Sequence, residues 1–125
     1  MSASWPSKWQ GTTKLDCGQD GSFVAVVSTE GQPSAAHLQN FEAIMSRWQV
    51  IWPECRQIIT DMIRSYGRAA PDWRNVKSVH IDLSKDPIHE DAEWSIGIVF
   101  SGGDTLWALP YEGWVAFPSG AQAFW

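Results

Sequence analysis

The sequence predicts an α+β domain in which an antiparallel sheet of about five strands carries a kinked helix or helical pair (about residues 34–67) on one face, in the order ββ-αα-βββ. Three observations support this fold class: a hairpin-like segment early in the chain, a helical apolar period in the middle, and alternating apolar residues in the last third. The length of 125 residues is typical of one domain, so we expect residues 1–125 to form a single domain.

The first two strands are predicted around a short turn. Residues 12–16 and 23–28 have strand character, and the segment between them contains Gly18, Asp20 and Gly21, which suit a tight reversal. These features predict a β-hairpin. Turn-forming residues then lead to the first helix, which a serine at position 34 can cap.

The middle of the chain has the strongest pattern. Five apolar residues recur at spacings of three, four, three and four, which places them on one helical face: Leu38, Phe41, Met45, Trp48 and Trp52. Pro53 has no amide hydrogen, so we expect the helix to kink or stop at Trp52 and to restart with Pro53 in a first-turn position. Gly67 is predicted to end the second helical segment.

The last third of the chain predicts an antiparallel meander. Residues 77–83 alternate apolar and polar side chains, residues 94–100 repeat this alternation, and residues 105–109 return after a glycine-containing turn at 101–104. Pro110 cannot donate to a central ladder, so the last strand should end there or lie at an edge.

Charge is distributed unevenly along the chain. Nine Lys and Arg residues oppose fourteen Asp and Glu residues, which gives a net charge of −5. Residues 1–75 carry equal numbers of acidic and basic side chains, so the whole imbalance lies in residues 76–125. The negative electrostatic field of this segment repels phosphate backbones and attracts basic surfaces. We therefore expect a protein partner and no nucleic acid.

The sequence also predicts where the protein is found. The first twenty residues contain no apolar run like that of a signal peptide, and no later stretch reaches the roughly 18 apolar residues of a membrane span. We therefore expect a cytoplasmic protein with no membrane partner. Cys17 and Cys55 lack the CxxC spacing of redox and zinc sites and are expected to be reduced thiols.

An acidic segment offers the ligand types that divalent metals use. Two histidines and five carboxylates fall within fourteen residues: His80, Asp82, Asp86, His89, Glu90, Asp91 and Glu93. Their spacing fits no tight metal-binding pattern, so a solvated acidic loop is the preferred interpretation, and neither a metal nor another cofactor is expected. The chain also lacks a nucleophile elbow, a P-loop and a dinucleotide-binding motif, so we do not expect an enzyme.

The nine tryptophans are more than a core of this size needs. If Leu106 and Ala108 face the helices, then Trp107, Leu109 and Tyr111 project from the opposite face of the sheet, next to the acidic segment if that segment folds back. Exposed aromatic side chains ringed by polar groups are typical interface anchors. The alternative is that the terminal segments, with Trp5, Trp9 and Trp125, fold over that face and bury it.

Residues 80–114 run from His80-Ile-Asp-Leu through Glu93-Trp-Ser-Ile-Gly-Ile-Val-Phe-Ser-Gly-Gly-Asp-Thr-Leu-Trp to Leu109-Pro-Tyr-Glu-Gly-Trp114. This segment resembles the closing meander of small bacterial domains found among the immunity proteins of interbacterial toxin systems. The resemblance implies a compact, acidic, cytoplasmic inhibitor that plugs the active site of a cognate toxin. It assigns no functional residue, because the contacts in such families are particular to each pair.

The leading hypothesis is therefore an immunity-type inhibitor that binds a basic toxin domain through acidic residues and aromatic anchors. The predicted partner-binding residues are Asp82, Asp86, Glu90, Asp91, Glu93, Trp107, Tyr111 and Trp114. One alternative is a small-molecule-binding or enzymatic domain with an aromatic pocket, in which His80 or His89 is the polar element. Another is a homo-oligomeric structural protein whose exposed sheet face pairs with its own copy.

Overall fold

The computed structural model describes residues 8–124, with side chains described from residue 11 onward. The α+β class predicted from the sequence is confirmed. In chain order the elements are β1 (Lys8–Asp16), β2 (Ser22–Glu30), α1 (Ala35–Ser46), α2 (Trp48–Ser65), β3 (Val76–Leu83), β4 (Glu93–Phe100), β5 (Leu106–Glu112), β6 (Val115–Ala116) and β7 (Gln122–Phe124). This order, ββ-αα-βββββ, differs from the predicted ββ-αα-βββ because two short strands follow β5.

The strands form one mixed sheet in the order β1-β2-β3-β4-β5-β6, and β7 also pairs with β5. The predicted hairpin of β1 and β2 and the meander of β3, β4 and β5 are antiparallel, as expected. The prediction of a wholly antiparallel sheet is wrong, because β2 and β3 run parallel. Parallel neighbours need a long crossover connection, and the two helices provide it.

The core lies between the two helices and one face of the sheet. Residue pairs opposite each other on β3, β4 and β5 fill its centre, among them Val79 with Ile98 and Ile96 with Leu109, all fully buried. From α2, Cys55 and other buried residues pack onto this surface. Burial of an isoleucine or leucine side chain contributes about 1.5–3 kcal/mol, so each of these residues stabilises the fold substantially.

The helical segment breaks earlier than its apolar pattern predicts. The break lies at Arg47, whose φ of −111° and ψ of 10° are not helical, and Pro53 lies inside α2. Of the predicted apolar face in α1, Phe41 and Met45 pack against the core, but Leu38 does not. Leu38 is 58% exposed, whereas His37 and Asn40 are buried. Near the start of α2, Pro53 removes one backbone hydrogen bond but leaves the rest of the helix intact.

Of the two outcomes predicted for Pro110, a strand that ends there or a position at an edge, the first is wrong, because β5 continues to Glu112. Its outer edge has two separate partners. β7 pairs with Leu106–Ala108, and β6 pairs with Tyr111 and Glu112. Pro110 lies between these two pairings, where a missing amide hydrogen breaks no ladder hydrogen bond.

The turn between β4 and β5 contains Gly102 at a φ of 84°, the left-handed conformation that the glycines at 101–104 were expected to supply. Within residues 8–124, no helix combines the length and the apolar character that a membrane span requires.

The fold predicts a large difference between two leucine substitutions. Leu109→Ala removes a fully buried side chain from the centre of the sheet, and we expect the free energy of unfolding to fall by about 2–5 kcal/mol. Leu38→Ala removes a side chain that is 58% exposed and should cost less than about 1 kcal/mol. Urea unfolding followed by circular dichroism measures both values, and equal losses would contradict the assigned faces of α1 and β5.

Candidate functional site

The aromatic side chains of β5 point toward the helices, which corrects the expected facing of this strand. Trp107 and Tyr111 are 4% and 1% exposed, whereas Leu106 and Ala108 lie on the opposite face and are partly exposed. The reason is the register of the β4–β5 hairpin, which places Trp107 directly opposite the buried Ile98. Residues opposite each other on neighbouring strands share a face, so Trp107 must be buried as well.

Tyr111 is a core residue with one polar contact. Its ring stacks on Trp94 with a centroid separation of 4.4 Å, and its hydroxyl donates to Glu54 Oε1 of α2 at 3.3 Å. Burial is the main cause that raises the pKa of Tyr111, and the nearby Cys55 and Glu54 act in the same direction. The phenol therefore remains neutral and joins the sheet to α2. It is not available as a surface anchor, contrary to the sequence prediction.

Trp107 is also a core residue, at the other end of β5 from the acidic residues. Its ring meets that of Tyr66 edge to face at 5.4 Å, and Arg68 lies over it at 5.5 Å. Trp114 follows β5 and remains half-buried, with the guanidinium of Arg47 at 4.2 Å from its ring centroid. Of the three predicted aromatic anchors, only Trp114 keeps an accessible surface.

The sheet face opposite the helices, called the open face below, carries a cluster of carboxylates. Asp82 is the second-last residue of β3 and lies on this face, Glu93 begins β4 and Glu112 ends β5. Together with Pro110 and Phe117 they line a groove of about 610 Å³, called the acidic groove. Glu112 and Phe117 were missed by the sequence analysis. Glu112 is predictable once the facing of β5 is known, because it lies on the same face as the partly exposed Leu106 and Ala108.

The two glutamates of the acidic groove are direct neighbours. Glu93 and Glu112 are register partners in the β4–β5 ladder, and both are exposed. Like charges directly opposite each other on neighbouring strands destabilise a sheet. Among the described residues, no ion pair reaches either glutamate. Asp82 completes the cluster and accepts a long hydrogen bond, 3.5 Å, from the hydroxyl of Ser95.

The loop between β3 and β4 extends the negative surface. Asp86, Glu90 and Asp91 are exposed on it, as the sequence predicts. The buried Asn40 of α1 holds one end of this loop, because its Nδ2 donates to the carbonyl oxygens of Ser84 and Asp86 at 2.7 Å each. These contacts hold the acidic residues on a fixed backbone.

The other end of this loop is fixed by the turn after β5. The backbone N–H of Gly113 donates to the carbonyl of Ala92 at 2.8 Å, and the indole N–H of Trp94 donates to the carbonyl of Gly113 at 2.7 Å. Asp91 has a left-handed φ of 59° and lies against Gly113. The acidic loop and the acidic groove therefore form one connected surface, to which Trp114 is adjacent.

The histidines of this segment do not form a metal centre in the part of the chain that the structure describes, where no group of three His, Cys, Asp or Glu side chains is close enough to hold an ion. Nε2 of His80 lies 2.9 Å from the hydroxyl of Ser78 on the open face. His89 lies on the loop, where its Nε2 is 3.9 Å from Oε1 of Glu90.

A second concave region lies at the opposite end of the sheet and on the helix side. It is a cavity of about 620 Å³, called the tryptophan cavity, between the β1–β2 turn, the first half of α2 and the segment before β3. Trp48, Trp52 and Trp73 line it. The rings of Trp48 and Trp52 stack at 5.7 Å, and those of Trp52 and Trp73 meet edge to face at 5.4 Å.

Two of these three indoles have a hydrogen-bond acceptor. The Trp52 N–H donates to Asp20 Oδ2 at 2.9 Å, and the Trp73 N–H donates to the hydroxyl of Thr60 at 3.0 Å. Nη1 of Arg56 donates to both carboxylate oxygens of Asp20 at 2.8 Å. Both carboxylate oxygens of Asp20 therefore accept hydrogen bonds, as expected for a side chain that is only 10% exposed.

The third indole lacks such a partner. Trp48 is buried, and its Nε1 is a buried side-chain donor without a hydrogen-bond partner among the residues that the structure describes. It lies by the thiol of Cys17, and this contact opposes the rise in the pKa of Cys17 to about 11 that burial causes. Sulfur is a weak acceptor, so the Trp48 N–H is not satisfied by this contact. A buried donor without a partner costs about 1–3 kcal/mol.

The chain was also compared with known proteins. No protein-family model matches it, and neither a curated protein nor a solved structure is significantly similar to it.

The anchoring role of Asn40 predicts a specific loss of order. Asn40→Ala leaves two carbonyls without their donor, so we expect the free energy of unfolding to fall by about 1–3 kcal/mol and residues 84–91 to exchange their amide hydrogens faster. Chemical unfolding and hydrogen exchange measure these effects. Gln39→Ala, at the exposed neighbouring position, is the control and should change neither quantity. Unaltered exchange in Asn40→Ala would show that the loop is held by other contacts.

Proposed function

We propose that this protein is an immunity-type inhibitor, which binds a basic partner protein through the acidic groove and the adjoining β3–β4 loop. The observation that carries the proposal is the convergence of Asp82, Glu93 and Glu112 around a groove with apolar walls. In this proposal the protein acts in the cytoplasm by binding and not by catalysis, requires no cofactor and engages neither nucleic acid nor membrane. The partner is the toxin domain that the protein neutralises.

The charges of the groove favour a cationic side chain of the partner as its occupant. Glu93 and Glu112 are like charges opposite each other in the free protein, and their repulsion lowers the stability of the fold. An arginine or lysine placed between them attracts both carboxylates and offsets this repulsion. Phe117 is 40% exposed beside them and offers an aromatic surface on which a guanidinium can stack. The acidic loop strengthens the field that attracts a basic partner over longer distances.

The rigidity of the site supports an inhibitor. Its carboxylates project from strand ends and from a loop that Asn40 and Gly113 hold at both ends. A surface that is already ordered loses little conformational entropy when it binds. The resemblance of residues 80–114 to immunity proteins agrees with this interpretation, since such domains are typically compact and acidic.

Self-association through the open face is a weaker alternative. A second copy placed on this face would bring the carboxylates of one groove near those of the other unless the two grooves were well separated. Like-charge contacts of that kind cost several kcal/mol at an interface. A basic partner of another sequence has no such penalty. The small-molecule alternative has His80 or His89 as its polar element, and neither histidine lines the acidic groove or the tryptophan cavity.

The proposal is tested with the toxin domain that an open reading frame next to the gene of this protein would encode. Co-expression of the protein should restore growth to cells that produce this domain, and calorimetry should detect a complex of the two purified proteins. Asp82→Lys, Glu93→Lys and Glu112→Lys in one chain should weaken binding by about 100-fold or more and abolish the rescue, because opposite-charge contacts become repulsive.

The matched control changes three exposed carboxylates outside the groove by the same total charge: Glu30→Lys, Glu42→Lys and Asp104→Lys. This variant should retain binding to within a few-fold, since long-range attraction alone is lost. If the wild-type protein neither rescues growth nor binds, the inhibitor proposal fails. If both triple variants lose affinity equally, the acidic groove is not the binding site.

A further inference from the structure

The tryptophan cavity has the size and wall chemistry of a small-molecule site. Its volume of about 620 Å³ lies within the range of about 300–1,000 Å³ that ligand pockets occupy. It lies at the end of the sheet where β2 and β3 begin, whereas the acidic groove lies where β3 ends. The two sites therefore share no residue.

We propose that the tryptophan cavity binds an uncharged, planar aromatic molecule that carries one hydrogen-bond acceptor. The indoles of Trp48, Trp52 and Trp73 provide flat apolar surfaces for such a ring. The unpartnered Nε1 of Trp48 provides the donor. Trp48 and Cys17 both line the cavity, and in this proposal the thiol moves aside so that the acceptor of the ligand reaches the buried N–H.

The charges at the cavity define the class of ligand further. Asp20 and Arg56 neutralise each other, so neither demands a counter-ion from a ligand. Asp16, at the rim, accepts a hydrogen bond from the backbone N–H of Gly18, and this carboxylate disfavours an anionic ligand. A cationic ligand would compete with Arg56 for Asp20. A neutral acceptor such as a ring nitrogen or a carbonyl oxygen avoids both conflicts.

The test compares two probes of almost equal shape, quinoline and naphthalene, of which only quinoline has an acceptor. Each is titrated into protein with ¹⁵N-labelled tryptophan, and the indole N–H resonances are followed by NMR. Quinoline should shift the resonances of Trp48, Trp52 and Trp73 saturably and leave those of Trp94 and Trp107 in place. Quinoline should bind about fivefold more tightly than naphthalene, because one neutral hydrogen bond raises affinity by about that factor.

Trp48→Phe retains an aromatic ring but removes the donor, so quinoline should lose its advantage over naphthalene in this variant. The comparison of the two probes in the wild-type protein needs no variant and so does not depend on the folding of Trp48→Phe. The triple lysine variant of the acidic groove should bind quinoline as the wild type does, which separates this test from that of the inhibitor. Absence of saturable shifts at the three cavity indoles, or equal affinities of the two probes for the wild type, would overturn the proposal.

Discussion

The register between β4 and β5 is the constraint on which the functional surface depends. It pairs Ile98 with Trp107 and Trp94 with Tyr111, and therefore buries both aromatic residues of β5 beneath the helices. The same alternation turns Glu112 to the open face, opposite Glu93. One hairpin thus determines both the packing of the core and the position of two of the three carboxylates in the acidic groove. A shift of one residue would exchange these two sets of side chains.

The tryptophans serve chiefly as core residues in the part of the chain that the structure describes. Trp94 and Trp107 fill the space between the sheet and the helices, and their rings contact other aromatic side chains. The cluster of Trp48, Trp52 and Trp73 closes the end of the core but leaves a cavity beside it. Large rigid rings bury much area with little loss of side-chain entropy, but they fill irregular space poorly. The cavity and the unsatisfied N–H of Trp48 are consequences of that packing, and they create the site inferred for a small aromatic ligand.

The sequence predicts those features of the fold that short segments determine. The first hairpin, the meander and the exposure of Asp86, Glu90 and Asp91 follow from local alternation and turn residues, and the structure has them. The parallel pairing of β2 with β3 depends on where the helical pair returns the chain, which no local pattern records. The facing of β5 was not predictable from its own residues, because residues 106–111 are all apolar and alternation gives no signal. Only the pairing with β4 decides it, so Glu112 was missed. The expected cover from Trp5, Trp9 and Trp125 involves side chains outside those that the structure describes.

In the proposed function, Glu93 and Glu112 face each other on the open side of the sheet at a cost to stability, and a cationic partner removes this cost. A double-mutant cycle of Glu93→Gln and Glu112→Gln, measured by urea unfolding at low ionic strength, determines whether the two carboxylates repel each other. Each single substitution should raise the free energy of unfolding by about 0.2–1 kcal/mol, and the double substitution should add less than the sum, because either change alone removes the repulsion. Strictly additive effects, or a loss of stability in both single variants, would contradict the account.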